Sequence, residues 1–251
     1  MPRVSVNTLN KKSIDIFEPI SLADMNEVSL MKRTDTKFVI NEHILASVLE
    51  CIKEDYRVLQ IGENRLMTYN SYYFDTPKNG LYTMHHNGKA GRIKVRMRNY
   101  VESDLCFLEV KIKDKKGDTV KSRIRIDGLT NELDATANEF IRDTTQKTMD
   151  LTKSIENAFN RFTLVNTKDK ERVTVDVGLS FDGKVLNDNL VIVELKQERL
   201  NRKSSLFAAL KAHGIGPFSI SKYCIGMAAT HPELKQNLFK SKFLKINKLT
   251  A

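Results

Sequence analysis

The chain has 251 residues, 41% hydrophobic and 29% charged, which suits a globular protein with a real core and excludes a disordered polymer. Its formal charge of +10 makes an anionic partner the first class to consider: nucleotide, polyphosphate, nucleic acid or acidic lipid. Three scattered cysteines (Cys51, Cys106, Cys224) argue against a disulfide framework and a zinc knuckle, no apolar run approaches the roughly 20 residues of a membrane span, and no apolar signal core is present, so a cytoplasmic protein is expected.

Residues 1–18 read as a flexible lead-in. Pro19 to Leu30 places Ile20, Leu22, Met25, Val28 and Leu30 near helical spacing, and a strand is expected from Met31 to Ile40 with Arg33, Asp35 and Lys37 on one face. Asn41 then caps an amphipathic helix to about Glu54. Leu66 to Phe74 is a Tyr-rich strand stopped by Asp75-Thr76-Pro77, followed by a helical turn, Lys78 to His85. The strand Arg92 to Tyr100 alternates Arg92, Lys94, Arg96 and Arg98 with Ile93, Val95 and Met97. Its partner, Leu105 to Lys113, sets Phe107, Glu109, Lys111 and Lys113 against Cys106, Leu108, Val110 and Ile112, and after a turn at Lys115-Lys116-Gly117-Asp118 the segment Thr119 to Ile126 repeats the pattern. Asn131 to about Phe159 is expected to be helical in two pieces. Phe162–Asn166 and Glu171–Val177 read as a hairpin, Leu190 to Lys196 as a further strand, Asn201 to Lys211 and Ser219 to Ala229 as helices. The stretch 231–251, with five Lys and one Glu, reads as a basic helical tail able to touch acidic lipid or to pack.

At least five strands thus carry one charged and one apolar face. An antiparallel sheet with its charged side in water explains any one of them. The charged faces are dominated by Arg and Lys, however, and helices are available to cover the apolar faces. The expected fold is therefore α+β: a closed antiparallel β-barrel, charged inside, apolar outside under helices. A cationic lumen suits a polyanion, and isolated acids within it suit a hard divalent metal bridging phosphate oxygens.

Several spaced pieces support this: RTDTKF (Arg33–Phe38), SYYFDT (Ser71–Thr76), VRMRNY (Val95–Tyr100), LEVK (Leu108–Lys111), KSRIRI (Lys121–Ile126), NRFTL then RVTVD (Asn160–Asp176), IVELK (Ile192–Lys196) and SKYCIGMA (Ser221–Ala228). In this order they resemble the polyphosphate polymerase (VTC) domain, a branch of the triphosphate tunnel metalloenzymes, over roughly residues 20 to 228. The resemblance implies a catalytic domain at 19–230 that transfers the γ-phosphoryl group of ATP to a growing inorganic polyphosphate chain with Mn²⁺ or Mg²⁺. It implies that Arg96, Arg98, Lys37, Lys111 and Lys222 act on the reacting phosphates. Lys121 or Arg123, Arg161, Arg172, Ser221 and Arg33 would hold phosphate or nucleotide, and Glu194 would bind the metal. The pair Arg96 and Arg98 points two guanidinium forks the same way, which matches phosphate geometry.

Each assignment has a plain alternative. Lys37 and Lys222 taken singly are solvated lysines; Glu194 is a metal ligand or a partner of Lys196 or a facing Arg. Asp35, Glu109 and Asp176 are further ligands or, as preferred here, hold Arg side chains. His85-His86 are a metal or acid–base pair or, as preferred here, surface histidines; the cysteines read as packing residues; and Tyr69, Tyr72 and Tyr73 offer a base-stacking or phosphate-binding hydroxyl or, as preferred here, core and rim packing. Three rival functions remain: a tunnel-fold triphosphatase or cyclase of the CYTH type, a nucleic-acid or polyanion binding module, and a non-catalytic polyphosphate sensor. CYTH relatives usually carry two glutamates and a lysine in the first strand; here Arg33 and Asp35 stand in the acidic places. No nucleic-acid-binding signature appears, so no nucleic acid is expected.

Overall fold

The computed structural model describes residues 13–27, 33–114 and 118–250. Expectations for most of the lead-in, for Val28, Leu30 and Met31, and for the turn at Lys115-Lys116-Gly117 lie outside the described residues. The described chain forms an 11-stranded sheet and seven α-helices. In chain order these are β1 (Pro19–Ile20), α1 (Leu22–Glu27), β2 (Thr34–Asn41), α2 (Glu42–Glu50), β3 (Arg57–Leu59), β4 (Met67–Asp75), α3 (Gly80–His86), β5 (Arg92–Tyr100), β6 (Leu105–Lys113) and β7 (Thr119–Ile126). There follow α4 (Ala135–Thr145), β8 (Thr152–Asn166), β9 (Glu171–Phe181), β10 (Lys184–Val185), β11 (Leu190–Gln197), α5 (Ser205–Ala212), α6 (Lys222–Thr230) and α7 (Lys240–Thr250).

The main sheet runs β2-β11-β9-β8-β4-β5-β6-β7, antiparallel throughout. β2 and β5 stand five places apart in that order, yet Lys37 and Lys94 line one cavity, so the sheet curls round into a trough. The closed barrel is corrected here. Among the described residues no hydrogen bonds join β2 to β7, and the outer edge of β2 is instead met by the segment before α6, where Phe218 N donates to Lys37 O at 2.7 Å.

The apolar outer face lies under helices, as the alternation requires. Phe38, Ile40, Val173, Val175, Val193 and Leu195 pack under Leu45, Val48 and Leu49 of α2 and Leu206 and Leu210 of α5. Within the expected lead-in, Ile14 and Phe17 are buried in the same cluster. On the opposite wall, Ile93, Val95, Met97, Leu108 and Val110 meet Ala137 and Ile141 of α4. Each large side chain moved from water into these layers contributes about 1.5–3 kcal/mol, so the apolar alternation fixes which face turns inward.

The inner face is charged over only part of its area. Val39, Ile192, Leu179, Phe181 and Ile155, on the same face as the charges, pack against Tyr223, Ile225 and Met227 of α6 and Ile246 of α7. Helix α6 therefore fills part of the trough. It comes close because residue 226 is glycine: a Cβ there would stand 2.4 Å from the Phe181 ring. The tail is packed and helical, with Phe239 and Ile246 buried.

The expected helix pair at Asn131–Phe159 is wrong in its second half. Only α4 is helical, and residues from Thr152 belong to the 15-residue strand β8. Its inward face mixes Ile155 and Phe159 with Asn157 and Arg161, and the other face carries Glu156, Ala158 and Asn160, so neither side reads as the apolar face of a strand. The first segment is also split: Pro19–Ile20 is a short strand beside β3, and among its described residues Leu22–Glu27 is the helical part.

Candidate active site

The register lays inward side chains in rows across β5, β6 and β7: Arg92–Lys113–Thr119, Lys94–Lys111–Lys121, Arg96–Glu109–Arg123 and Arg98–Phe107–Arg125. Like charges directly opposite across strands repel. Glu109 is the one carboxylate in these rows and is 1% exposed. It accepts from Arg96 Nε at 2.7 Å and from the Lys121 ammonium. Burial pushes its carboxyl up, but Arg96 and Lys121 outweigh that and hold it below the usual carboxylate range. Arg98 has no carboxylate partner among the described residues. It is 5% exposed, its Nε donates to Ser71 Oγ at 2.9 Å, and its guanidinium lies over the Tyr69 and Phe159 rings at 5.5 and 5.4 Å. Lys111 stands between Lys94 and Lys121; Arg96, burial and Lys121 together pull its ammonium down to about 6.

The β9–β11 wall is neutralised. Asp176 receives Arg161 through two bonds, 2.5 and 2.8 Å, and also the Lys222 ammonium from α6. Burial works against its ionisation, but Arg161 and Lys222 hold it below the usual range. Glu194 pairs with Lys196 at 2.7 Å and Lys37 at 3.4 Å, which outweigh burial and hold it well below that range. Arg172 lies on the same inward face, opposite Lys196.

The structure thus brings Lys37, Arg96, Arg98, Lys111, Lys121, Arg161, Arg172, Glu194, Ser221 and Lys222 to one face and its covering helix. Arg33 stands at the end of this face: it is exposed, ahead of β2, paired with Asp35 at 2.9 Å, and close enough to Arg172 to help lower that guanidinium. Lys121 and Arg123 share the face, but Lys121 turns to Glu109, whereas Arg123 is exposed and stacks 4.5 Å over Phe107. Glu109 and Asp176 hold basic side chains, as preferred. The surface expectation for His85-His86 is corrected: His86 is 3% exposed and accepts from Leu238 N, while His85 Nε2 meets Ile93 O at 3.0 Å and burial lowers its ring to about 3.

Three features escaped the sequence reading. Tyr73 OH accepts from Arg96 Nη1 at 3.2 Å, so this tyrosine belongs to the site and not only to packing. Phe159, assigned to a helix, forms with Tyr69 an aromatic floor under Arg98, Arg161 and Lys222. Such faces attract cations and stabilise them without supplying negative charge. Asp75 is buried, accepts from Leu81 N and Tyr82 N at the start of α3 and from Tyr223 OH, and so ties α6 into the trough. The run Tyr-Phe-Asp-Thr-Pro was the available signal, read only as a strand end.

Where the trough opens, Lys37, Arg92, Lys94, Lys111, Lys113 and Lys242 line a cavity of about 330 Å³ together with Ser221. No carboxylate lines it among the described residues. A larger cavity of about 710 Å³ lies between α4 and residues 147–153; it mixes Glu132, Glu139 and Asp150 with Arg142, Lys147 and Lys153, so neither sign prevails. Among the described residues no group of three His, Cys, Asp or Glu side chains is placed to hold a metal. The donors fit a hard cation that takes most of its oxygens from phosphates and one carboxylate, Glu194, from the protein.

Residues 32–231 match the VTC domain. The chain belongs to the VTC domain family. Among solved structures, a putative adenylyl cyclase from Hippeastrum, described as having a dominant triphosphatase activity, superposes with a TM-score of 0.53 at 14% identity, covering 83% of this chain and 99% of that one. A putative adenylate cyclase from Vibrio parahaemolyticus gives a TM-score of 0.47 at 12% identity, covering 78% and 99%. No curated protein gives a significant match. The Hippeastrum likeness shows a shared fold. No helix among the described residues is long and apolar enough to cross a membrane.

Proposed function

We propose that this VTC domain is a polyphosphate polymerase that transfers the γ-phosphoryl group of ATP to a growing inorganic polyphosphate chain held in the trough. The observation that carries the reading is the unneutralised cation wall. Among the described residues Arg98, Lys94 and Lys111 are held without carboxylate partners, and the row continues through Arg92 and Lys113 to the cationic cavity. Such a wall is complementary to a chain of phosphates longer than one nucleotide carries. Phosphoryl transfer asks mainly for positioning and for donors aimed at equatorial oxygens, which Arg96, Arg98, Lys111 and Lys222 supply; it requires no protein nucleophile. Glu194 is the residue that would hold Mn²⁺ or Mg²⁺, and the ion when bound would offset phosphate charge. Lys37 and Lys196 would then turn from Glu194 towards phosphate.

The second reading is a triphosphatase, favoured by the dominant triphosphatase activity described for the Hippeastrum protein. Against it stands the first strand, where Arg33 and Asp35 pair with each other at the surface. Purified protein incubated with ATP and Mn²⁺, with the products resolved on a gel stained for polyphosphate, separates the two. A ladder of polymer is expected; free phosphate alone would replace this reading with the triphosphatase.

A further inference from the structure

Ser221 stands immediately before α6 in extended conformation (φ −125°, ψ 116°), and its Oγ accepts from Cys224 N at 3.3 Å. The same oxygen lies 3.1 Å from Lys94 Nζ, and both groups face the cationic cavity. Lys94 is an unusual amine to find beside a serine. It faces Lys111 directly across β5 and β6, and Lys37 lines the same cavity. No carboxylate lies within ion-pair distance of Lys94 among the described residues. Burial, with Lys37 and Arg96 adding to it, draws its ammonium below the ordinary lysine range. A lysine whose ammonium form is disfavoured, in contact with a serine hydroxyl, is the arrangement by which lysine can act as general base to serine.

We propose that Ser221 and Lys94 form a nucleophile–base pair through which the protein phosphorylates itself, Ser221 Oγ taking a phosphoryl group from a phosphoanhydride. In the step, Ser221 Oγ forms a bond to the terminal phosphorus of ATP. The bond from that phosphorus to the β,γ-bridging oxygen breaks, and ADP leaves with the electron pair. The hydroxyl proton passes to Lys94 Nζ, which as an ammonium then faces the new phosphoseryl oxygens. The product is well placed: a phosphate at the first turn of a nine-residue helix meets its free N–H groups, with Lys37 and Lys111 across the cavity. The proposal rests on the reading that the trough binds phosphoanhydrides, but polymer synthesis itself does not require it.

The test is intact-protein mass spectrometry after incubation with ATP and Mg²⁺ and an acid quench, with peptide mapping, and with the same samples run on a polyphosphate gel. Wild type is expected to gain one HPO₃ unit on the peptide bearing Ser221. Ser221→Asn keeps a good helix cap but has no nucleophilic hydroxyl, and should gain nothing; Ser221→Thr keeps both features and should be labelled. Lys94→Met should slow labelling roughly a hundredfold, the usual scale of a lost general base. Polymer on the gel with no mass gain would overturn this pair and leave the polymerase reading standing. A mass gain at Ser221 without polymer would support the pair and sink the polymerase reading. A gain that persists in Ser221→Asn, or labelling unaffected in Lys94→Met, would overturn the assignment of nucleophile or base.

Discussion

The two walls of the trough treat the same chemistry in opposite ways. On the β9–β11 wall each inward carboxylate holds two cations, Asp176 with Arg161 and Lys222, Glu194 with Lys196 and Lys37. On the β5–β7 wall Glu109 alone faces rows of cations, and Arg98, Lys94 and Lys111 have no acidic partner among the described residues. A neutralised cation is held in place by its partner and contributes to stability. An unneutralised buried cation costs stability and is set for an anion that arrives later. In the proposed reading the β9–β11 wall both supports the fold and contributes Glu194 and, held by Asp176, Lys222, whereas the β5–β7 wall is mainly a phosphate surface, and substitutions should separate by how far each removes a partnered or an unpartnered charge.

The largest effect is expected from Arg96→Ala combined with Arg98→Ala. Loss of two forks aimed at phosphate should lower turnover by about 10³-fold or more, taking each donor at the scale of an oxyanion contact. Circular dichroism should show the fold intact, and near-normal turnover would reject the site. Next comes Asp176→Asn, which leaves Arg161 and Lys222 buried without their partner. Urea unfolding should show a loss of about 3 kcal/mol, the scale for breaking a buried pair. Because Asp176 is held below its ordinary range, its contribution is fully present above the unfolded aspartate value of about 3.9 and fades as pH falls beneath it. Wild type should accordingly lose its stability advantage over the variant in acid. A loss under about 1 kcal/mol would erase the contrast between the walls.

Lys111→Met should have the opposite profile. Replacing an amine whose ammonium form the folded protein disfavours should leave stability unchanged or higher, while affinity for triphosphate, which restores that ammonium, drops about tenfold, near the 1.4 kcal/mol of one modest charged contact. The smallest effect is one of pH. The Lys111 ammonium is lowered to about 6 in the free protein, and a bound phosphate draws it back up. Binding should take up a proton above about pH 6, so affinity falls as pH rises, at most about tenfold per unit from this group. Titrations in buffers of different ionisation heat, compared with Lys111→Arg, would show it; identical proton uptake in both would remove Lys111 from the account.

The inward charge of this trough could be read from alternation alone, because Arg92 to Arg98, Glu109 to Lys113 and Lys121 to Arg125 keep a strict period of two. So could the covered outer face. The part that could not be read has specific causes. Phe159 and Ile155 are apolar residues on the inner face, where they meet cations and α6, so they broke the rule that apolar means outward. Apolar and polar residues on both faces of the first half of β8 (Ile155, Asn157 and Phe159 on one, Glu156, Ala158 and Asn160 on the other) hid that strand within an apparent helix. Closure failed as an expectation because alternation fixes which face turns inward but says nothing about whether the edge strands meet. Asp75 looked like a turn residue; its burial under Tyr223 depends on a partner 148 positions away.

The claim that the β5–β7 wall is the phosphate site is tested most directly by calorimetric titration of inorganic triphosphate with Mg²⁺ into wild type and Arg98→Met. Among the described residues Arg98 has no carboxylate partner to leave stranded, and methionine still covers the stacked Tyr69 and Phe159 rings. Wild type should bind, with affinity that falls as salt is added, and the variant should bind at least tenfold more weakly at an unchanged or raised Tm. Equal affinity in the two proteins would contradict the account.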